Sequence, residues 1–156
     1  MAGHDRITAE GRRFFEQIEE LKKLQVRVGY QRGEEQNDGG MDLVDIAAVN
    51  EVGTDTIPAR PFMRQSVDNN QEAIGKVCKA ALKSVVQGGT AEQALEKIGD
   101  VQVGFISETI SKSKSWAEPN AESTIAQKKG NDIPLTDTGR LMQSPHFVIV
   151  PKGEDE

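Results

Sequence analysis

The chain has 156 residues, 36% of them hydrophobic and only 4% aromatic, so one domain with a core resting mainly on Val, Ile, Leu and Ala is expected. Nineteen Lys and Arg against 25 Asp and Glu leave a formal charge of −6, which disfavours a nucleic-acid-binding protein, because gripping a phosphate backbone takes clustered cations. A single cysteine, Cys78, excludes an internal disulfide, and no apolar run approaches the roughly 20 residues that cross a bilayer, so no membrane partner is expected.

In chain order, residues 8 to 24 read as a helix, with Thr8 as its N-cap and Phe14, Ile18 and Leu21 on one face. "VRVGY", Val26 to Tyr30, alternates like a short strand. The glycine-rich, acidic stretch 31–40 holds no apolar residue and reads as an exposed, mobile loop. Asp42 and Asp45 form an acidic start to a second helix, which Gly53 ends. After "TIPARPF", a long helix is expected from Pro61 to Gln87, stopped by Gly88 and Gly89. Cys78 lies in its apolar pattern and reads as a buried small hydrophobe. Thr90 and Gln93 in "TAEQ" make a capping box for another helix, carrying Leu95, Ile98, Phe105, Ile106 and Ile110 inside.

Residues 111–133 are polar, a long excursion that is either an ordered functional loop or a mobile one. "PLTDTGRLMQS" gives a turn and a short helix, with Asp137 or Thr138 as cap. "HFVIV", His146 to Val150, is the clearest strand, and residues 151–156 read as a disordered acidic tail. The class is therefore α+β over residues 1–150: a small antiparallel or mixed sheet packed against a long helix and several shorter ones. The two strands, near opposite ends of the chain, are expected to pair, and a polar loop could add a third.

Motifs for catalysis are missing. There is no phosphate-binding glycine loop, HExxH or CxxC, and His4 and His146 supply neither zinc-ligand spacing nor a hydrolytic triad. No catalytic residue, metal or cofactor is expected. Asp38, Asp42 and Asp45 lie close together, but at a helix start that spacing is ordinary capping. Lys112, Lys114, Lys128 and Lys129 are the only basic concentration. They are either a solvated loop or a route to nucleic acid, with Trp116 beside them able to stack on a base or to plug a partner's pocket. Arg60, between Pro58 and Pro61, has two readings: a local partner such as Glu51, or a bidentate anchor across a subunit boundary, to which the flanking prolines would lend rigidity.

"IAAVNEVGTDTIPARPFMRQSV" resembles a stretch typical of the neck and tail-completion proteins of long-tailed bacteriophages, the small head-to-tail joining proteins. There a helix ending in Asn-Glu-Phe-Gly-Thr leads through Ile-Pro-x-Arg-Pro-Phe into a long helix; here Val52 replaces the aromatic. "PNAESTIAQKKGNDIPLTDTGRLMQSPHFVIV" resembles the family's closing pattern, with Pro145 before the last strand as a departure. With the first strand, the resemblance spans residues 24 to 150. It implies a virion structural protein without catalysis, made in the host cytoplasm. It implies a ring, often six-fold, between connector or adaptor and tail terminator or tail tube, with DNA passing through the lumen without sequence-specific binding. The interface candidates are Glu51, Gly53, Thr54, Pro58, Arg60, Pro61 and Phe62 in the first block, then Trp116, Lys128, Lys129, Leu135, Thr138 and Gly139. The alternative is a small nucleic-acid-binding or regulatory module using the basic 112–129 loop; a hydrolase has no motif behind it.

Overall fold

A computed structural model describes residues 6–33, 40–137 and 139–153. The Oγ1 of Thr8 accepts from the Gly11 amide at 3.0 Å and opens α1, Ala9–Lys23. Its last turn runs directly into β1, Leu24–Gly29, which pairs antiparallel with β2, His146–Pro151, so that Leu24 faces Pro151 and Gly29 faces His146. The two expected strands are therefore partners, and among the described residues no third strand joins them. The 31–40 loop lies largely outside the described residues, as does the end of the acidic tail. Of that tail, the Lys152 amide still bonds the Lys23 carbonyl at 2.7 Å.

Asp42 caps α2, Leu43–Val52, by accepting from Val44 N at 3.0 Å; its other oxygen takes the Gly33 amide at 2.7 Å. These two backbone donors hold the Asp42 carboxyl below the ordinary carboxylate range. Asp45 is not part of the cap. It forms a fork with Arg32 at 2.9 and 3.1 Å. Among the described residues, no cluster of three or more potential metal ligands exists.

The long helix expected over 61–87 is two helices. α3 spans Phe62–Asp68 and α4 spans Gln71–Val86, with a turn at Asn69–Asn70 between them. Asn70 makes the break: its Nδ2 donates to the Ser66 carbonyl at 2.8 Å and its amide to Val67 O at 3.1 Å, where a continuing helix would place backbone bonds one residue further back. Cys78 is exposed, contrary to expectation. Cys78 shares a helix face with Ala81 and Val85, but the buried residues of α4 begin only at Ala81, so Cys78 lies one turn before the covered stretch. Gly88 and Gly89 end α4 in a Schellman motif, with Gly89 N on Ser84 O at 2.8 Å and Gly88 N on Val85 O at 3.1 Å.

The long helix against which the sheet packs is the next one, α5, Ala91–Ser111. Thr90 and Gln93 exchange both bonds of a capping box at 3.1 Å each. The first half of α5 packs on α1 and α4 through Ala81, Val85 and Ala94. The second half joins Ala47, Phe62, Ile106, Ile110, Leu135 and Leu141 in the larger core cluster. Gly99 sits between the two halves, where the Phe147 ring of β2 lies against the helix. A Cβ there would stand 2.4 Å from Phe147 Cγ. Gly99 weakens the helix intrinsically, yet its missing side chain lets the sheet approach α5.

The 111–133 excursion carries two short helices, α6, Ser113–Trp116, and α7, Glu122–Gln127. Ser113 is fully buried and its hydroxyl donates to the Pro134 carbonyl, tying the start of the excursion to its end. α8, Arg140–Gln143, precedes β2. The position before it is Gly139, left-handed at φ 83°, and no side chain caps it; Asp137, expected as a cap, does not serve.

Candidate functional site

The elbow from Asn50 to Phe62 is set by backbone constraints. Gly53 ends α2 at φ 75° and ψ 175°, a conformation that essentially only glycine adopts, and not the left-handed helical one expected. A Cβ at Gly53 would lie 2.7 Å from Ala59 N and 3.0 Å from Ile57 O, because the chain folds back over it. Thr54 closes that return: its amide meets Ile57 O at 2.8 Å and its hydroxyl accepts from Ile57 N at 3.0 Å. The Arg60 amide then bonds Asn50 O at 2.6 Å, and Phe62 N bonds Arg60 O at 2.7 Å across Pro61. With φ −75° and ψ 66°, Pro61 is the centre of an inverse γ-turn just before α3, and not a residue of its first turn.

Glu51, on α2, accepts from Met63 N at 2.9 Å and Arg64 N at 3.0 Å, satisfying open amides at the start of α3. It is therefore a helix-to-helix clamp and not the partner of Arg60. Phe62, with no exposed surface, packs edge-on against Tyr30 at 6.2 Å between ring centres. The Tyr30 hydroxyl donates to Leu141 O, and burial raises its pKa above the ordinary phenol value.

Arg60 is 7% exposed, and its guanidinium turns away from Glu51 to the second sequence block. Nε donates to Glu118 O at 2.8 Å and one terminal nitrogen to Pro119 O at 3.2 Å, across a sequence separation of 58 residues. Desolvation pulls its pKa down, opposed in part by the Glu118 carboxylate. Lys128 behaves alike. Half-buried, it donates to Thr136 O at 2.8 Å and Ile133 O at 3.2 Å. Burial lowers its pKa, the Asp137 carboxylate raises it, and the nearby Arg60 lowers it further. Both cations rest on neutral carbonyls, and among the described residues neither forms an ion pair.

These residues wall one cleft of about 720 Å³. Pro58 and Arg60 from the first block meet Pro119, Lys128, Leu135 and Gly139 from the second. Leu135, buried although its φ is 60°, holds a backbone conformation unusual for a leucine; such strain costs about 1–3 kcal/mol and persists only where packing enforces it. Asn120, also on the wall, has a buried Nδ2 without an acceptor.

Trp116 is half-buried against the chain's own larger core cluster, and its Nε1 donates to Thr109 O at 2.9 Å. Lys129 is exposed and left-handed at φ 56°. It occupies the glycine position of a Schellman motif ending α7, with Gly130 N on Ile125 O at 2.9 Å and its own amide on Ala126 O at 3.1 Å. Lys112 pairs with Glu108, and Lys114 with Asp132 at 2.7 Å. Three of the four lysines of the basic stretch thus already have partners inside the chain. Thr138 lies outside the described residues. Asn120 was missed in the sequence because a buried, unmatched amide has no signature there.

No protein family, curated protein sequence or solved structure matches the chain. Among the described residues no helix is long and apolar enough to cross a membrane.

Proposed function

We propose that this chain is a structural protein of the neck of a long-tailed bacteriophage, a head-to-tail joining or tail-completion component that works as a ring of copies, six in number, around the DNA channel. The observation that carries the reading is the meeting of its two resemblance-bearing blocks. Arg60 of the first holds the main chain at the opening of the second, and residues of both line one cleft. Two sequence patterns far apart in a chain have a common reason to exist when they build one surface. On this reading the chain turns over no substrate, and its partners are the connector or adaptor on one side and the tail terminator or tail tube on the other.

Disrupting the gene in a phage that carries it tests this directly. Electron micrographs of the lysate should show filled heads and finished tails unjoined, restored by the wild-type chain in trans. Normal virions at normal yield would overturn the proposal.

A further inference from the structure

We infer that the cleft between the elbow and the 118–141 segment receives a carboxylate, presented by an extended segment of a partner protein whose neighbouring side chains are apolar. The inference names the partner chemistry of the proposed joint, and rests on that reading only for which virion protein supplies the segment.

Arg60 and Lys128 bring two positive charges to the wall, and what they hold within the chain is uncharged carbonyl oxygen. A guanidinium has five N–H donors; only two of the donors on Arg60 are spent on Glu118 and Pro119. Glu118 and Asp137 act on these partly desolvated cations only from a distance, without an ion-pair contact, so a direct charge-assisted bond to a carboxylate recovers more than a bond to a neutral acceptor. Asn120 adds an independent sign: a buried donor with no acceptor, on the same wall. A carboxylate is acceptor-only, the chemistry that such donors call for.

The remaining wall includes Ile46, Leu135 and Leu141, which suit apolar side chains on either side of the acid. Nucleic acid fits worse. Exposed Glu118 and Asp137 also line the cleft, in a chain of net charge −6, and they oppose the many charges of a phosphate backbone more than the single charge of one carboxylate.

The test is an NMR titration of the full isotope-labelled chain with the blocked tripeptide acetyl-Leu-Glu-Leu-amide, its Leu-Gln-Leu counterpart and a 12-base-pair DNA duplex. The acidic peptide should shift the Asn120 side-chain amide and the Arg60 Nε–H saturably, at least tenfold more tightly than the glutamine peptide. Asn120→Asp, nearly isosteric, should abolish the shifts while the rest of the spectrum stays that of the folded chain. Lys128→Met should weaken binding; should it unfold, Asn120→Asp alone decides. Equal shifts with the glutamine peptide, no shift at these groups, unaltered binding to Asn120→Asp, or tighter occupation of the same groups by the duplex would each overturn the inference. Peptide binding by the isolated chain and joining of heads to tails are separate readouts, so either can fail while the other stands.

Discussion

Arg60 and Glu118 are bound side chain to main chain: the guanidinium Nε lies 2.8 Å from the Glu118 carbonyl oxygen. This bond, with its companion to Pro119, fastens the elbow to the far half of the chain. Removing a buried partner leaves those carbonyls unmet, and charged hydrogen bonds contribute about 1.5–3 kcal/mol each. Arg60→Ala should therefore lower the unfolding free energy by about 2–4 kcal/mol in urea denaturation. Arg60→Lys should recover part of it, since a point ammonium keeps the charge but cannot span both carbonyls as the fork does. A loss below about 0.5 kcal/mol for the alanine variant would show that the fork is not a structural tie.

Gly53 offers a backbone test of the same elbow. Alanine there would carry its Cβ to 2.7 Å from Ala59 N, in a φ/ψ region that alanine avoids. Gly53→Ala should destabilise by about 1–3 kcal/mol, read as a fall in thermal midpoint. An unchanged midpoint would mean that the chain does not fold back over Gly53 in solution.

The converse holds at Lys129. Its side chain sits where a Schellman motif prefers glycine, whereas Gly88 fills the equivalent place after α4. Lys129→Gly should be neutral to stabilising by up to about 1 kcal/mol, because it relieves a left-handed penalty of about 1–2 kcal/mol but loosens the unfolded chain. Marked destabilisation would assign the lysine side chain a contact of its own.

At the helix–sheet contact, Gly99→Ala should cost about 1–3 kcal/mol by overpacking against Phe147. The second substitution Phe147→Leu should return part of that loss, a coupling readable in a double-mutant cycle. Strict additivity would place Phe147 away from α5.

Tyr30 gives a pH dependence. Its folded pKa is raised by burial, so the folded state keeps the phenolic proton where the unfolded chain, near pKa 10, releases it. The associated stability is intact below about pH 10 and falls as pH rises above it. Tyr30→Phe should lose about 1 kcal/mol at neutral pH with the Leu141 bond, and should flatten the alkaline decline. An identical alkaline limb in both proteins would exclude Tyr30 as its source.

What was legible in the sequence was mostly local. Thr8, the Thr90–Gln93 box, the glycine pair at 88–89 and the two strands are written in residues within a few positions of what they control, and two strands need a partner, though the antiparallel sense and the lack of a third among the described residues come from the structure. The α+β class followed from that order. The break at Asn70 was overlooked because apolar spacing continues across it, while the cause is one side chain competing for a helix carbonyl. Cys78 shares the face of Ala81 and Val85, and what leaves it exposed is that no element among the described residues covers it there, which its own residue pattern does not show. The partners of Arg60 and Lys128 are carbonyls, which every residue has, so no residue pattern marks them; only the folded course of 118–136 does.

The pairing of Leu24 with Pro151 sets an order of events during synthesis. While the ribosome is still reading the middle of the chain, β1 exists without its mate, and Val26 and Val28 have no strand beside them. Closing so long a loop is slow and comes after the helices can pack, so the sheet is the last element completed. A chain arrested before residue 146 would leave β1 as an open edge, ready to pair with a neighbouring nascent copy.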